Sequence, residues 1–345
     1  MKKVLMAAVA VMAMTAGSAA LARDSIRIVG SSTVFPFTTA VAEQYAKKSG
    51  KKAPVVESTG TGGGIKLFCS GVGEKFPDVV NASRPMKATE FDACAKAGVK
   101  EIVEIQVGLD GIVIASKKGT PGYKLSRQQL YLALAKQVMA GGKLVANPFG
   151  TWNQVNAALP NTEIEAYGPP PTSGTRDAFV EMALEGGAAK LPSMAQIKSD
   201  NGDLFKKLAG TIREDRKWID AGENDNAIVA TLTKTPTAVG IFGYSFYEEN
   251  MDKVQAATVD GVVPTYDTIA NGTYPLSRTL FIYVKKAHVG VIPGLKEFLG
   301  EYMSTAAMGD GGYLENKGLI ILPTAQLAKS RANATALTVM AKPKK

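Results

Sequence analysis

The 345-residue chain has almost no histidine and almost no cysteine: His288 stands alone, and Cys69 and Cys94 are the two thiols. A structural zinc site needs four cysteine or histidine ligands at short spacings, which this set cannot supply. A serine nucleophile usually needs a histidine base within hydrogen-bond reach. His288 is the one candidate, and at the end of FIYVKKA it reads as a packed or solvated side chain. Ser173 lacks the Gly-x-Ser-x-Gly setting, because PTSGT puts proline in the first place. TGTGGGIK has neither the Gly-Lys-Ser/Thr end of a phosphate loop nor the spaced glycines of a dinucleotide fingerprint. Beyond the N-terminus no apolar run approaches membrane-spanning length, and there is no solenoid-length repeat or low-complexity block. These absences speak against a metalloenzyme, a triad hydrolase and a nucleotide enzyme. They leave non-covalent binding, with no catalytic residue, metal or cofactor expected.

The N-terminus predicts export. Lys2 and Lys3 precede the short apolar run Val4–Ala16, and Ala20-Leu21-Ala22 is a small-x-small cleavage site. That is a secretory leader, cut after Ala22, with the periplasm as destination. The remaining chain, roughly 320 residues, is long enough for two α/β lobes. Formal net charge is +9, or +7 without the two leader lysines. Export argues against nucleic acid as partner, and the basic residues are spread along the chain apart from the tail KPKK. An even cysteine count in an oxidising compartment predicts a Cys69–Cys94 disulfide. Closing a loop of this length is worth ~3.5 kcal/mol in the chain-entropy model.

The body of the chain repeats one pattern: short apolar strand, small-residue turn, amphipathic helix. SIRIVG, APVVES and PDVVNA read as strands; the turns SSTVFPF, TGTGGG and SRPM follow them and lead into helices. EIVEIQVG and GIVIASKKG read as two further strands. Later come the helix SRQQLYLALAKQV, the strand TEIEAYG, the helix DNAIVATLTKT and the strand RTLFIYVKK. NATALTVMAKPKK is expected to fray beyond a last helix. Alternating strands and helices predict mostly parallel sheets flanked by helices, with ligands outside the carboxyl ends of the strands.

Four turns share one chemistry there: Gly30-Ser31-Ser32-Thr33, Gly60–Gly64, Ser83-Arg84 and Ser173-Gly174-Thr175-Arg176. Each alone reads as a helix cap or tight turn. Together they offer hydroxyls, approachable backbone N–H groups and guanidinium groups to an anion.

Seven ordered motifs, GSSTVFPF, STGTGGGIK, NASRPM, GTWNQVNAALPN, SGTRDAF, AVGIFGYSFY and YPLSRTLFIYV, resemble those of the periplasmic phosphate-binding proteins of ABC transporters, the PstS type. The resemblance covers nearly the whole exported chain. It implies a two-lobed α/β periplasmic binding protein, each lobe a mainly parallel sheet flanked by helices. One lobe would hold 23–108 with 277–345 and the other 109–276, joined by crossovers near QVGLDG and TYPLSR. It implies a monomer that binds inorganic phosphate without turnover and delivers it to membrane permease subunits. The implied ligand positions are Thr33, Val34, Phe35, Thr61, Ser83, Arg84, Ser173, Gly174 and Thr175, with Ser32 and Arg176 beside them. Many family members carry an aspartate after the serine of the third motif, where this chain has Arg84. They also carry an arginine four residues before the Ser-Gly-Thr serine, where it has Pro169. Asp177 is a candidate acceptor for a protonated phosphate, or else it complements a helix dipole. Another oxyanion (sulfate, molybdate or tungstate), a secreted phosphate-ester hydrolase and an adhesion protein are the alternative readings.

Overall fold

The computed structural model describes residues 23–171, 173–222 and 225–344. The expected leader, Met1–Ala22, lies outside them. The chain opens with β1 (Arg27–Gly30), α1 (Phe35–Ser49), β2 (Val55–Ser58), α2 (Thr61–Phe68), β3 (Val79–Ala82) and α3 (Ala88–Lys96). Pro36 suits the first turn of α1, where its missing N–H is no loss, and Gly50 ends that helix at φ 68°. Val41 and Tyr45, one helical turn apart, are buried beneath it. The glycines read as a turn are the first turn of α2. The close packing of that helix requires them: a Cβ on Gly64 would lie 2.4 Å from the Gly30 Cα.

The next strand, β4, runs unbroken from Ile102 to Lys117. The apolar pattern on either side of Leu109-Asp110-Gly111 reads as two strands, but the chain bends there without leaving the sheet. After it come β5 (Ala166–Gly168), α4 (Gly174–Phe179), β6 (Trp218–Asp220), β7 (Val239–Gly243), β8 (Val254–Ala256) and β9 (Ser277–Lys285). The sheet order is β2-β1-β3-β9-β4-β7-β5-β6, with β8 also on β4.

The outer strands are parallel at both ends: β1 with β2 and β3, and β5 with β6 and β7. The central pairs are antiparallel, because β4 carries the chain out of the first half of the sheet and β9 brings it back. Residues 102–111 of β4 pair with β9, whereas Ile112–Ala115 pair with β7. The register shifts between Leu280 and Phe281, and this bulge lets the two strands bend together.

The C-terminal tail does not fray as the sequence suggests. Its helix runs to Ala336, Val339 then bridges Val103, and the Met340 amide donates to the Ile102 carbonyl at 2.8 Å. Apolar Met340 packs against the cluster holding Phe281 and Tyr283, and this contact gives the tail its place. The Cys69–Cys94 disulfide is present and ties the end of α2 to α3.

His288 is a packed structural residue. It is 2% exposed, its Nε2 accepts from the Gly73 amide at 2.9 Å, and its Nδ1 therefore carries the proton that faces Asp78 at 2.6 Å. Asp78 is fully buried and also accepts from the Arg27 amide and the Arg23 guanidinium. Nearby, Lys285 is 1% exposed and its Nζ has no hydrogen-bond partner among the described residues. The ammonium sits over the Phe68 and Phe76 rings, 4.8 and 5.5 Å from their centroids.

Burial pushes the Lys285 pKa down from 10.5 to about 8, against the pull of Asp78. Between these values the unfolded chain binds the proton more tightly, so stability from this group rises as pH climbs from 8 to 10.5. Lys285→Met should therefore be more stable than wild type at pH 7, on the order of 2 kcal/mol. The advantage should shrink as pH rises through that window. Denaturant unfolding at pH 7 and pH 10 measures it, and a wild type more stable than the variant at pH 7 would refute the prediction.

Candidate ligand site

Two of the four turns meet. The Ser32-Thr33 turn follows β1, the Ser173–Thr175 turn follows β5, and the two belong to opposite halves of the sheet. A Cβ on Gly174 would lie 2.6 Å from the Thr33 Cα and 2.7 Å from its nitrogen. No residue but glycine lets the two backbones come so close. Thr33 Oγ1 donates to the Gly174 carbonyl at 3.1 Å, and the Ser32 hydroxyl bonds to the Asp177 carboxylate. Ser173 caps α4, its Oγ accepting from the Thr175 amide at 3.2 Å. A cavity of about 480 Å³ opens beside this contact. Ser32, Thr33, Asp110, Ser173, Gly174 and Thr175 line it, with Ser245 and Lys317 on the far wall.

The other expected positions do not line that cavity. Val34 and Phe35 turn their amides to Ser31, at 3.4 Å to Oγ and 3.0 Å to the carbonyl. Thr61 and Ser83 bond to each other, Oγ1 to Oγ at 2.9 Å, and the Ser83 amide donates to Thr61 Oγ1. Arg84 is clamped by Glu90 of α3 through two parallel bonds of 2.9 and 2.7 Å. That hydrogen bond raises the arginine pKa against the effect of burial. Burial pushes the Glu90 carboxyl up, but Arg84 and the Lys87 amide outweigh it and hold the pKa below its ordinary value. Arg176 turns away to the Pro169 carbonyl and the Asp220 carboxylate, with its guanidinium 5.1 Å from the Trp218 ring. Asp177 is exposed, and its carboxylate receives Ser32.

Two functional residues escape the turn-based reading because they lie on the crossing strands. Arg278, 11% exposed near the start of β9, donates from Nη2 to Thr33 Oγ1 at 2.8 Å and from Nε to Asp110 Oδ2 at 3.2 Å. Its Nη1 reaches across to Glu181, just past the end of α4. Asp110 faces it from β4, and burial raises the aspartate pKa although Arg278 opposes the rise. The sequence does carry a sign of both: each is the one charge within a mostly apolar stretch of its strand, VGLDGIVI and SRTLFIYV.

Two halves of one sheet, joined through the shared strand β4 with β9 returning beside it, and meeting at a polar cleft outside strand carboxyl ends, define a two-lobed solute-binding protein. The chain belongs to the PBP superfamily, whose domain model matches residues 15–306. It is 33% identical over 321 residues to Protein SphX of Synechococcus elongatus, covering 89% of this chain and 81% of that one. It is 31% identical over 301 residues to the phosphate-binding protein PstS of Staphylococcus saprophyticus, covering 85% and 79%. Among solved structures it resembles a "possible phosphate binding protein" of Planctomyces limnophilus, with TM-score 0.72, 28% identity and coverage of 90% and 97%.

Arg84 and Glu90 make a test. Glu90 also accepts from the Lys87 amide at the start of α3, so the pair holds the Ser83-Arg84 turn to that helix. Arg84→Ala should lower the melting temperature of the ligand-free protein, by about 1 kcal/mol of stability. An unchanged melting temperature together with lost anion affinity would put Arg84 among the ligand contacts instead.

Proposed function

We propose that this protein is exported to the periplasm, its leader cut after Ala22, and that it binds inorganic phosphate there and hands it to an ABC importer. One observation carries the reading: hydroxyls from both halves of the sheet line one cavity at a glycine contact, and Arg278 stands behind one of them, Thr33. The relatives named as phosphate-binding proteins supply the identity of the anion. The lobes are 23–108 with 277–345, and 109–276. The open cleft admits the anion. Closure then replaces its hydration shell with Thr33, Ser173, the backbone N–H of Gly174, and Arg278. Ser32 works from the cavity edge. Thr61 and Ser83, buried together, support the first lobe's wall. Arg84 and Arg176 each hold an acid and keep their turns in shape.

The chemistry is binding without turnover. His288 is fixed between Asp78 and Gly73 and cannot act on Ser173. Asp110, on the cavity wall, is the acceptor for a phosphate that still carries a proton; sulfate brings none. Asp177 is occupied by Ser32.

Isothermal titration should show one phosphate per chain with a dissociation constant at or below the micromolar range, about 8 kcal/mol of binding. Sulfate should give far less heat, and phosphate esters should not be hydrolysed. Tight sulfate binding without phosphate binding would assign the cleft to another oxyanion.

The glycine contact gives a second expectation. In Gly174→Ala the added methyl meets the Thr33 backbone wherever the two turns touch as they do here, so the variant disfavours the closed arrangement. Overpacking of this kind costs roughly 1–3 kcal/mol, or about 5- to 150-fold in affinity. Phosphate affinity should fall by that factor while ligand-free melting stays near wild type. Wild-type affinity in this variant would show that closure does not bring the two turns together.

A further inference from the structure

Glu181 belongs to none of the turns and does not line the cavity, yet it reaches the cation on which the site depends. It sits on the π-helical turn Val180–Glu185 that continues α4, and its carboxylate takes Arg278 Nη1 across the cleft. The electrostatic influence of Glu181 extends further. It favours the charged form of Arg84 on the first half of the sheet and disfavours that of Asp110 on β4. The contact itself is with Arg278, which also holds the ligand-side hydroxyl of Thr33. Resting on the phosphate reading above, we propose that Glu181 is a built-in competitor for the anion: its carboxylate occupies Arg278 until an oxyanion displaces it, and so sets the affinity of the site.

The charge balance supports this. Arg278 stands between two carboxylates, Asp110 and Glu181, so this group of three carries one surplus negative charge. An arriving oxyanion meets repulsion while Glu181 stays. With Glu181 turned away, Arg278 and Asp110 balance, and one N–H edge of Arg278 is open. The three bonds of Arg278 differ in how readily they yield. Asp110 is 15% exposed and sits on the adjacent strand, so the Nε bond persists. Glu181 is 48% exposed and can turn into water at little cost. An arginine held by a rigid acid on one edge and a movable acid on another is pre-aligned for a second, tetrahedral partner.

Glu181→Gln tests it, since the amide keeps the shape and loses the charge. Phosphate and sulfate are titrated into wild type, Glu181→Gln, Arg278→Lys and the double variant, with ligand-free melting recorded for each. Phosphate affinity should rise about tenfold in Glu181→Gln and fall at least tenfold in Arg278→Lys. In the Arg278→Lys background the Glu181→Gln gain should largely vanish. Unchanged or weaker phosphate binding by a folded Glu181→Gln would overturn the proposal and leave Glu181 as a clasp between lobes. A gain that persists undiminished without Arg278 would overturn it too. If neither anion binds wild type or Glu181→Gln, the phosphate reading itself fails, and this inference with it. Sulfate binding in place of phosphate would overturn the ligand alone, and the same comparison would then be read on sulfate.

Discussion

One strand that belongs to both halves of the sheet constrains everything else. Because β4 pairs with β9 in its first ten residues and with β7 beyond them, neither half can move without bending the same backbone. Asp110 and Arg278 lie where these strands cross, opposite each other in register. The charged pair is therefore anchored on paired strands at the junction of the two halves. The hydroxyl donors sit on turns at the ends of β1 and β5, which move with their halves. In the proposed mechanism, closure brings mobile donors onto a fixed cation.

Packing around the first half keeps its turn in a single position. The disulfide joins α2 to α3, the Arg84–Glu90 pair joins α3 to the turn after β3, and the C-terminal tail fills the edge of β4. None of these contacts touches the cavity. Their common effect is to leave little conformational freedom in the half that presents Thr33, so little is lost on binding.

Much of this was legible in the sequence, because the outer strands and their helices obey local rules. Ile28 and Val29 of β1 and Val79 and Val80 of β3 are continuous apolar runs of the kind a doubly covered parallel strand requires. The Ser-Gly-Thr start of α4 announces itself through capping chemistry. What local rules miss is pairing at long range. Gly108 and Gly111 look like a break until β9 is placed beside them, 170 residues later. Val339 and Met340 look like a loose tail until Ile102 and Val103, paired with β9 on one side, are seen to be open on the other. Their neighbours in sequence suggest Arg84 and Arg176 as anion ligands, yet each faces an acid that the folded chain brings to it: Glu90 on the helix that follows and Asp220 on another strand.

That distribution of charge changes what the basic composition means. Of three arginines near the turns, two are matched by acids within the same half, and the third, Arg278, is shared among Asp110, Glu181 and Thr33. The site thus has little net charge of its own. The surplus of positive charge lies over the surface at large, where it can speed an anion's approach but is screened within a Debye length of about 8 Å at physiological salt. In the proposed mechanism, affinity comes from short, desolvated bonds to hydroxyls, amides and one guanidinium that form together when the cleft shuts, and closure itself then tells bound from free.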